Sequence, residues 1–330
     1  GVRIDEEVRI PTRSVEKTDI AHNQAETLIK FTDLFAKKAY DAIVILGDRY
    51  EMLMVAIAAF NLQIPICHLC GGDTTEGAID EGIRHSITKM SYYHFPTNVV
   101  SRDRILQLGE MPERVFNYGS TSVDNIVKMD LMERKEALES VGLDEVNYAI
   151  GTYHPVTLEE GSVEEEMNHF LDAIRKHPEI TFIITKSNAD LGGAFINEIL
   201  EKSEKQIPNL HVFASLGVKR YLSLTKYALF MIGNSSSGII EAPALRIPTI
   251  NIGERQKGRL RADSVIDCGE DTASIMKAID KALAPEMSEI CRKQSCPYGD
   301  GNAAPNIAKK IIEMLEYPID LKKKFYDLKR

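Results

Sequence analysis

Residues Ala42 to Gly72 read AIVILGDRYEMLMVAIAAFNLQIPICHLCGG, and this stretch decides the fold. Ala42-Ile43-Val44-Ile45-Leu46 is an unbroken apolar run stopped by Gly47 and Asp48, the pattern of a buried strand in a parallel sheet. Tyr50 to Phe60 reads as a helix, Ile64-Pro65-Ile66-Cys67-His68-Leu69 as the next strand, and a glycine turn leads to a helix around Ile79 to Met90. Strand, helix, strand, helix predicts a parallel sheet covered by helices, so the class is α/β.

Outward from this core the scheme continues. Tyr93-His94-Phe95 and Val115-Phe116-Asn117-Tyr118 are further strand candidates, and Met129 to Gly142 is charged and helical in period. A second series opens at Tyr148 to Tyr153 and runs through Thr181 to Ile184, Leu210 to Phe213, Ala228 to Ile232 and Pro248 to Asn251. Two similar α/β halves are expected, meeting at 145/146 in the loop Leu143 to Asn147, with no sequence repeat, low-complexity tract or flexible linker. Gly1 to Glu16 is loop-like where a doubly wound domain ordinarily starts with a strand and a glycine turn. An N-terminal βαβ portion is therefore expected outside this numbering.

Composition narrows the function classes. At 330 residues, 44% hydrophobic and 27% charged, the chain is expected to be a soluble protein with two cores. A net charge of -9 argues against nucleic acid or an anionic membrane as partner, while leaving room for a local cationic pocket that takes a phosphate. No apolar run approaches the roughly 20 residues of a membrane-spanning helix, and Gly1 to Ile10 lacks a signal-peptide pattern, which points to the cytoplasm. Five cysteines fit no disulfide framework. Cys67 and Cys70 form a C-x-x-C, but no second pair completes a tetrahedral zinc site, so buried thiols and no metal are expected.

Four clusters can carry chemistry. Gly47-Asp48-Arg49 sits where a strand gives way to a helix, at the carboxyl edge of the sheet where doubly wound folds bind ligands; the plainer reading is a helix cap with a paired arginine. Gly71 to His85 (GGDTTEGAIDEGIRH) brings Asp73, Glu76, Asp80, Glu81, Arg84 and His85 into one glycine-rich loop and a first helical turn. Capping explains one of these charges, and a site that moves protons would use the others. His154, at the end of the first strand of the second domain, reads equally as a loop residue and as a functional one. Gly233-Asn234-Ser235-Ser236-Ser237-Gly238 follows an apolar strand and opens a helix with Glu241, an arrangement suited to a diphosphate through backbone amides and serine hydroxyls. Gly253 to Arg259, with Arg255, adds fixed positive charge at the next strand end. Neither a P-loop lysine motif nor G-x-G-x-x-G is present, which removes the usual support for kinases, NTPases and dinucleotide dehydrogenases.

These motifs, taken with IRHSITK at Ile83 to Lys89, His154-Pro155-Val156-Thr157, Ser187-Asn188-Ala189-Asp190 and Asn251 to Arg259, resemble the hydrolysing UDP-N-acetylglucosamine 2-epimerase family of bacterial sialic and legionaminic acid synthesis. The resemblance runs over nearly the whole chain. It implies a GT-B arrangement of two Rossmann-like domains, a C-terminal helix over 313–330 returning to the first domain, no cofactor, and a cytoplasmic homo-oligomer, dimer or tetramer. It implies a UDP-sugar substrate, UDP-N-acetylglucosamine or the 2,4-diacetamido-2,4,6-trideoxy analogue, and elimination of UDP to a 2-acetamidoglycal followed by hydration. Asp48 and Asp80 match carboxylates assigned to proton transfer, and His154 matches a histidine near the leaving diphosphate. Ser235, Ser236 and Arg255 match phosphate-binding residues, and Glu241 one on the ribose hydroxyls; Arg49 and Asn188 are expected as further contacts. At Cys70 some members carry a catalytic glutamate, so Asp73, ahead of Glu76, is expected to supply that acid. The alternatives are a GT-B glycosyltransferase, a non-hydrolysing epimerase and a non-catalytic nucleotide-sugar sensor.

Overall fold

The computed structural model describes residues 3–10, 17–75, 79–155, 163–187 and 192–328. In chain order it contains α1 (Lys17–Lys37), β1 (Ile43–Leu46), α2 (Tyr50–Asn61), β2 (Ile66–Leu69), α3 (Asp80–Met90), β3 (Tyr93–Phe95), α4 (Val99–Gln107), α5 (Thr121–Lys128) and α6 (Arg134–Glu139). There follow β4 (Tyr148–Thr152), α7 (Val163–Arg175), β5 (Thr181–Thr185), α8 (Gly193–Glu204), β6 (Leu210–Phe213), α9 (Gly217–Tyr227) and β7 (Met231–Gly233). The chain closes with α10 (Ser237–Ala244), β8 (Thr249–Ile252), β9 (Val265–Cys268), α11 (Thr272–Leu283), α12 (Pro285–Lys293) and α13 (Ala303–Leu315). The α/β class and the two Rossmann-like units agree with expectation.

The first unit comprises Gly1–Asp73, Ile79–Gly119 and Asn302–Arg330. Its parallel sheet has the order β1-β2-β3. Alternation along β2 sends successive side chains to opposite faces: Ile66 joins Ile45, Phe35 and the small residues Ala56, Ala58 and Ala59 of α2, whereas Cys67 joins Phe95 and Ala303 and Ile307 of α13. Burial pushes the Cys67 thiol up to about 12, as befits a packing residue. Along β1, Val44 and Leu46 are 53% and 59% exposed.

Beyond α13 the expected helix over 313–330 is corrected. The helix ends at Leu315, and residues 316–328 have no regular secondary structure. Pro318 lacks the N–H a helix needs and restricts the residue before it. The tail is instead pinned to its own unit: Lys323 Nζ donates to buried Glu110 and to the Ser91 carbonyl at 2.7 Å, and the Tyr326 amide donates to the Gly109 carbonyl at 2.9 Å. Gly109, at φ +82°, leaves the space that the Phe325 ring fills.

The second unit comprises Thr74–Ala78 and Ser120–Gly301. Its six-stranded parallel sheet has the order β6-β5-β4-β7-β8-β9. Counted within the unit this is third, second, first, fourth, fifth, sixth, the doubly wound order, with the reversal between β4 and β7. At that reversal a side chain on Gly151 would meet the Ile232 carbonyl and one on Gly233 the Thr152 carbonyl, so only glycine lets the strands approach. One face packs Phe170, Phe182 and Phe230, the other Tyr148, Ile150, Ile183 and Leu224.

The seams at Gly119/Ser120 and Gly301/Asn302 differ from those expected at 145/146 and 312/313. The cause is packing: Val123 of α5 is buried with Ile239 and Tyr298, and Ala137 and Leu138 of α6 with Leu224 and Ala228. Val115 to Tyr118 forms only a bridge from Val115 to His94, and β9, a short strand with exposed Asp267, was not anticipated. Among the described residues no helix is long and apolar enough to cross a membrane.

Candidate active site

In the first unit the acids gather around one arginine. β1 ends in Gly47, whose φ of +81° turns the chain so that Asp48 stands at the carboxyl edge of the sheet. There Arg84 Nε donates to Asp48 Oδ2 at 2.5 Å, and Arg84 Nη2 pairs with the same oxygen. Arg84 Nη1 donates to Glu81 Oε2 at 2.9 Å and to the Asp73 carbonyl at 3.0 Å. Arg84 itself is 1% exposed. A guanidinium is buried only when its donors are matched, and this one is matched from three directions. Glu81 Oε1 in turn lies 3.1 Å from His85 Nε2.

Asp80 is the first residue of α3, one turn before Arg84, where a carboxylate favours the helix start. Asp73 is drawn elsewhere by its side chain: Oδ1 accepts from Ser101 Oγ and from Asn98 Nδ2, at the N-terminus of α4. Arg49, with a side chain 55% exposed, pairs with Glu51 at 3.2 Å and lies over the Tyr50 ring. Cys70 holds φ at +65° and its amide donates to the Phe95 carbonyl at 3.0 Å. Beneath the acids, His68 is fully buried, with Nε2 3.0 Å from the Gly47 carbonyl. Burial lowers the His68 pKa to about 4, partly opposed by that carbonyl, so the imidazole is neutral at pH 7.

In the second unit the site lies at the strand-order reversal. The His154 amide donates to Asn234 Oδ1 at 2.7 Å and Asn234 Nδ2 returns to the His154 carbonyl at 2.8 Å. The loops after β4 and β7 are thus bound together at the place where this fold opens a crevice for ligands. His154 Nδ1 lies 3.1 Å from Ser187 Oγ. The Asn234 carbonyl accepts from Arg255 Nη1 at 3.1 Å and Gln256 Nε2 at 2.8 Å, which brings the loop after β8 to the same point. Ser235 and Ser236 occupy the turn into α10. Arg259 donates to the Thr74 carbonyl at 3.2 Å and to Thr75 Oγ1 at 3.3 Å. Glu241, one turn into α10, accepts from Ser237 Oγ, and its burial holds the carboxyl above the usual range.

Of the residues singled out in the sequence, Asp48 shares Arg84 with Glu81, and His154, Ser235 and Arg255 meet around Asn234. Asn188 and Glu76 lie outside the described residues. The sequence marks Arg84, Glu81 and His85 only as members of a charged cluster, and Asn234 and Gln256 only as letters of their motifs. Their signal was spacing: Glu81, Arg84 and His85 fall at i, i+3 and i+4 on one helical face. Among the described residues no group of His, Cys, Asp and Glu could hold a metal ion.

The family profile described as UDP-N-acetylglucosamine 2-epimerase matches residues 1–312. The chain is 40% identical over 330 residues to GDP/UDP-N,N'-diacetylbacillosamine 2-epimerase (hydrolyzing) of Campylobacter jejuni, covering 99% of this chain and 85% of the relative. It is 37% identical over 325 residues to polysialic acid biosynthesis protein P7 of Escherichia coli, covering 97% and 82%. Its fold is similar to the crystal structure of UDP-GlcNAc 2-epimerase from Neisseria meningitidis bound to UDP-GlcNAc, with a TM-score of 0.78, 20% identity, and coverage of 91% and 84%.

Proposed function

The chain belongs to the UDP-N-acetylglucosamine 2-epimerase family, and on that premise we propose that it hydrolyses a UDP-linked 2-acetamido sugar to UDP and the free sugar inverted at C2. The observation that carries the reading is Arg84 held between Asp48 and Glu81. Two carboxylates facing one guanidinium leave a negative charge over, which is what a base needs to take a weakly acidic proton.

In the elimination step the base removes the C2 proton, the C–H electrons form the C1=C2 double bond, and the C1–O bond breaks with its pair on the departing diphosphate. In the hydration step an acid gives a proton to C2 from the opposite face using the C1=C2 π electrons, while water adds its oxygen to C1 and passes its spare proton to a carboxylate acting as base. Asp48 and Asp80 serve these proton transfers, and Asp73 is the third acid, acting through Oδ2 because Oδ1 is committed to Ser101 and Asn98. His154, Ser235, Ser236 and Arg255 hold the diphosphate and Glu241 the ribose, with Arg49 and Asn188 as further contacts. Charge developing on the leaving phosphate is met by donors already in place. The same reading has the enzyme working in the cytoplasm as a homo-oligomer.

The test is incubation with UDP-N-acetylglucosamine, and in parallel its 2,4-diacetamido-2,4,6-trideoxy analogue, in heavy water with NMR of the products. A free manno-configured sugar carrying deuterium at C2 is expected from one of them. A sugar still linked to UDP would instead mean the non-hydrolysing reaction, transfer to an added acceptor a glycosyltransferase, and binding without turnover a sensor.

A further inference from the structure

Tyr221 is absorbed by none of the roles above, yet with Ser237 it forms a directed chain ending on Glu241. Tyr221 Oη donates to Ser237 Oγ at 2.8 Å, and Ser237 Oγ donates to Glu241 Oε2. Both bonds run the same way: the serine proton goes to Glu241 and the serine oxygen receives the tyrosine's. Glu241 Oε1 has no partner among the described residues. The chain crosses from α9 to α10, so it ties the carboxylate to a second element as well as to its own helix.

We infer that Tyr221, through Ser237, is a positioning residue that aims Glu241 Oε1 at the ribose of a bound uridine diphosphate and so enforces selection of a ribonucleotide. This rests on the reading of α10 as the diphosphate-binding helix. From Ser237 to Glu241 is four residues, a rise of about 6 Å, which is the separation of a phosphate at the helix start from the sugar attached to it. Burial lifts the carboxyl of Glu241 and the phenol of Tyr221 above their usual ranges, so both are partly stripped of water. A desolvated acceptor of fixed direction discriminates strongly against a ligand lacking the hydroxyl it expects, because the acceptor is then left unpaired.

The test is calorimetric binding of UDP and 2'-deoxy-UDP to the full chain and to Tyr221→Phe, Ser237→Ala, Ser237→Thr and Glu241→Gln. The unaltered protein should prefer UDP by roughly tenfold or more, the value of a hydrogen bond to a charged group. Tyr221→Phe should cut that preference several-fold with 2'-deoxy-UDP affinity unchanged, Ser237→Ala should cut it too, Glu241→Gln should abolish it, and Ser237→Thr, which keeps the hydroxyl, should retain it. A preference untouched by Tyr221→Phe, or equal weakening of both ligands as a merely structural tyrosine would give, overturns the inference and leaves the proposed function standing. Failure of the unaltered protein to bind UDP removes both.

Discussion

His154 and Asn234 exchange two hydrogen bonds, at 2.7 and 2.8 Å, across the one place in the six-stranded sheet where the strand order reverses. Asn234 is 1% exposed, and its carbonyl also receives Arg255 and Gln256. Three loops depend on one residue. Asn234→Ala removes both hydrogen bonds to the His154 backbone, which costs about 2 kcal/mol. The expected outcome is a lower unfolding midpoint in urea together with UDP affinity reduced at least roughly tenfold. A variant of unaltered affinity would show that the loops hold their places without it.

The two halves of the proposed chemistry are separable by substitution. Asp48→Asn and Asp80→Asn should lower turnover by about a thousandfold, the scale of general acid-base catalysis, while calorimetry still detects UDP. Ser236→Ala combined with Arg255→Ala should do the reverse, weakening UDP before it affects the chemical step. Full activity in both carboxylate variants would refute the proton-transfer assignment.

Arg84 should tolerate no replacement. Arg84→Lys keeps a charge but has no planar fork to reach Asp48, Glu81 and the Asp73 carbonyl together. Turnover should fall roughly a hundredfold from misplaced carboxylates, with UDP affinity kept. Arg84→Met also leaves Glu81 and Asp48 without their buried counter-charge and should destabilise the first unit by about 3 kcal/mol, measurable by denaturant titration.

His68 predicts a pH dependence of stability. Burial lowers its pKa from 6.5 to about 4, so between these values the unfolded chain binds a proton that the folded one refuses. Stability therefore rises with pH through this window and is lost as pH falls from 6.5 toward 4, by at most about 3 kcal/mol. His68→Gln, which can still donate to the Gly47 carbonyl, should flatten urea midpoints measured across that range. An unchanged slope would mean that other groups set it.

The strand and helix alternation from Ile43 to Met90 was legible because parallel strands are continuous apolar runs and their helices are not. The turn from β7 into α10 was legible for a similar reason, since glycines and serines between an apolar strand and a helical pattern mark a tight strand-to-helix turn. Arg84 was legible only in part. Spacing puts it on one face of α3 with Glu81 and His85, but only its bond to Asp48, 36 residues earlier, reveals a buried hub. The partnership of Asn234 with His154 spans 80 residues and leaves no local trace. The seams and the tail were missed because they are decided by tertiary packing, as with Val123 against Tyr298 and Phe325 against Gly109, which periodicity does not encode.

The first unit is assembled from stretches that flank the second, with α13 and the pinned tail supplied from Asn302 onward. During synthesis on the ribosome the second unit has its whole sequence once Gly301 has emerged. The first must wait with Cys67 and Phe95 uncovered and Glu110 short of one lysine until Ala303, Ile307 and Lys323 have followed. The unit whose strands are made before the second is thus covered after it, and it is there that a chaperone would find an exposed apolar sheet.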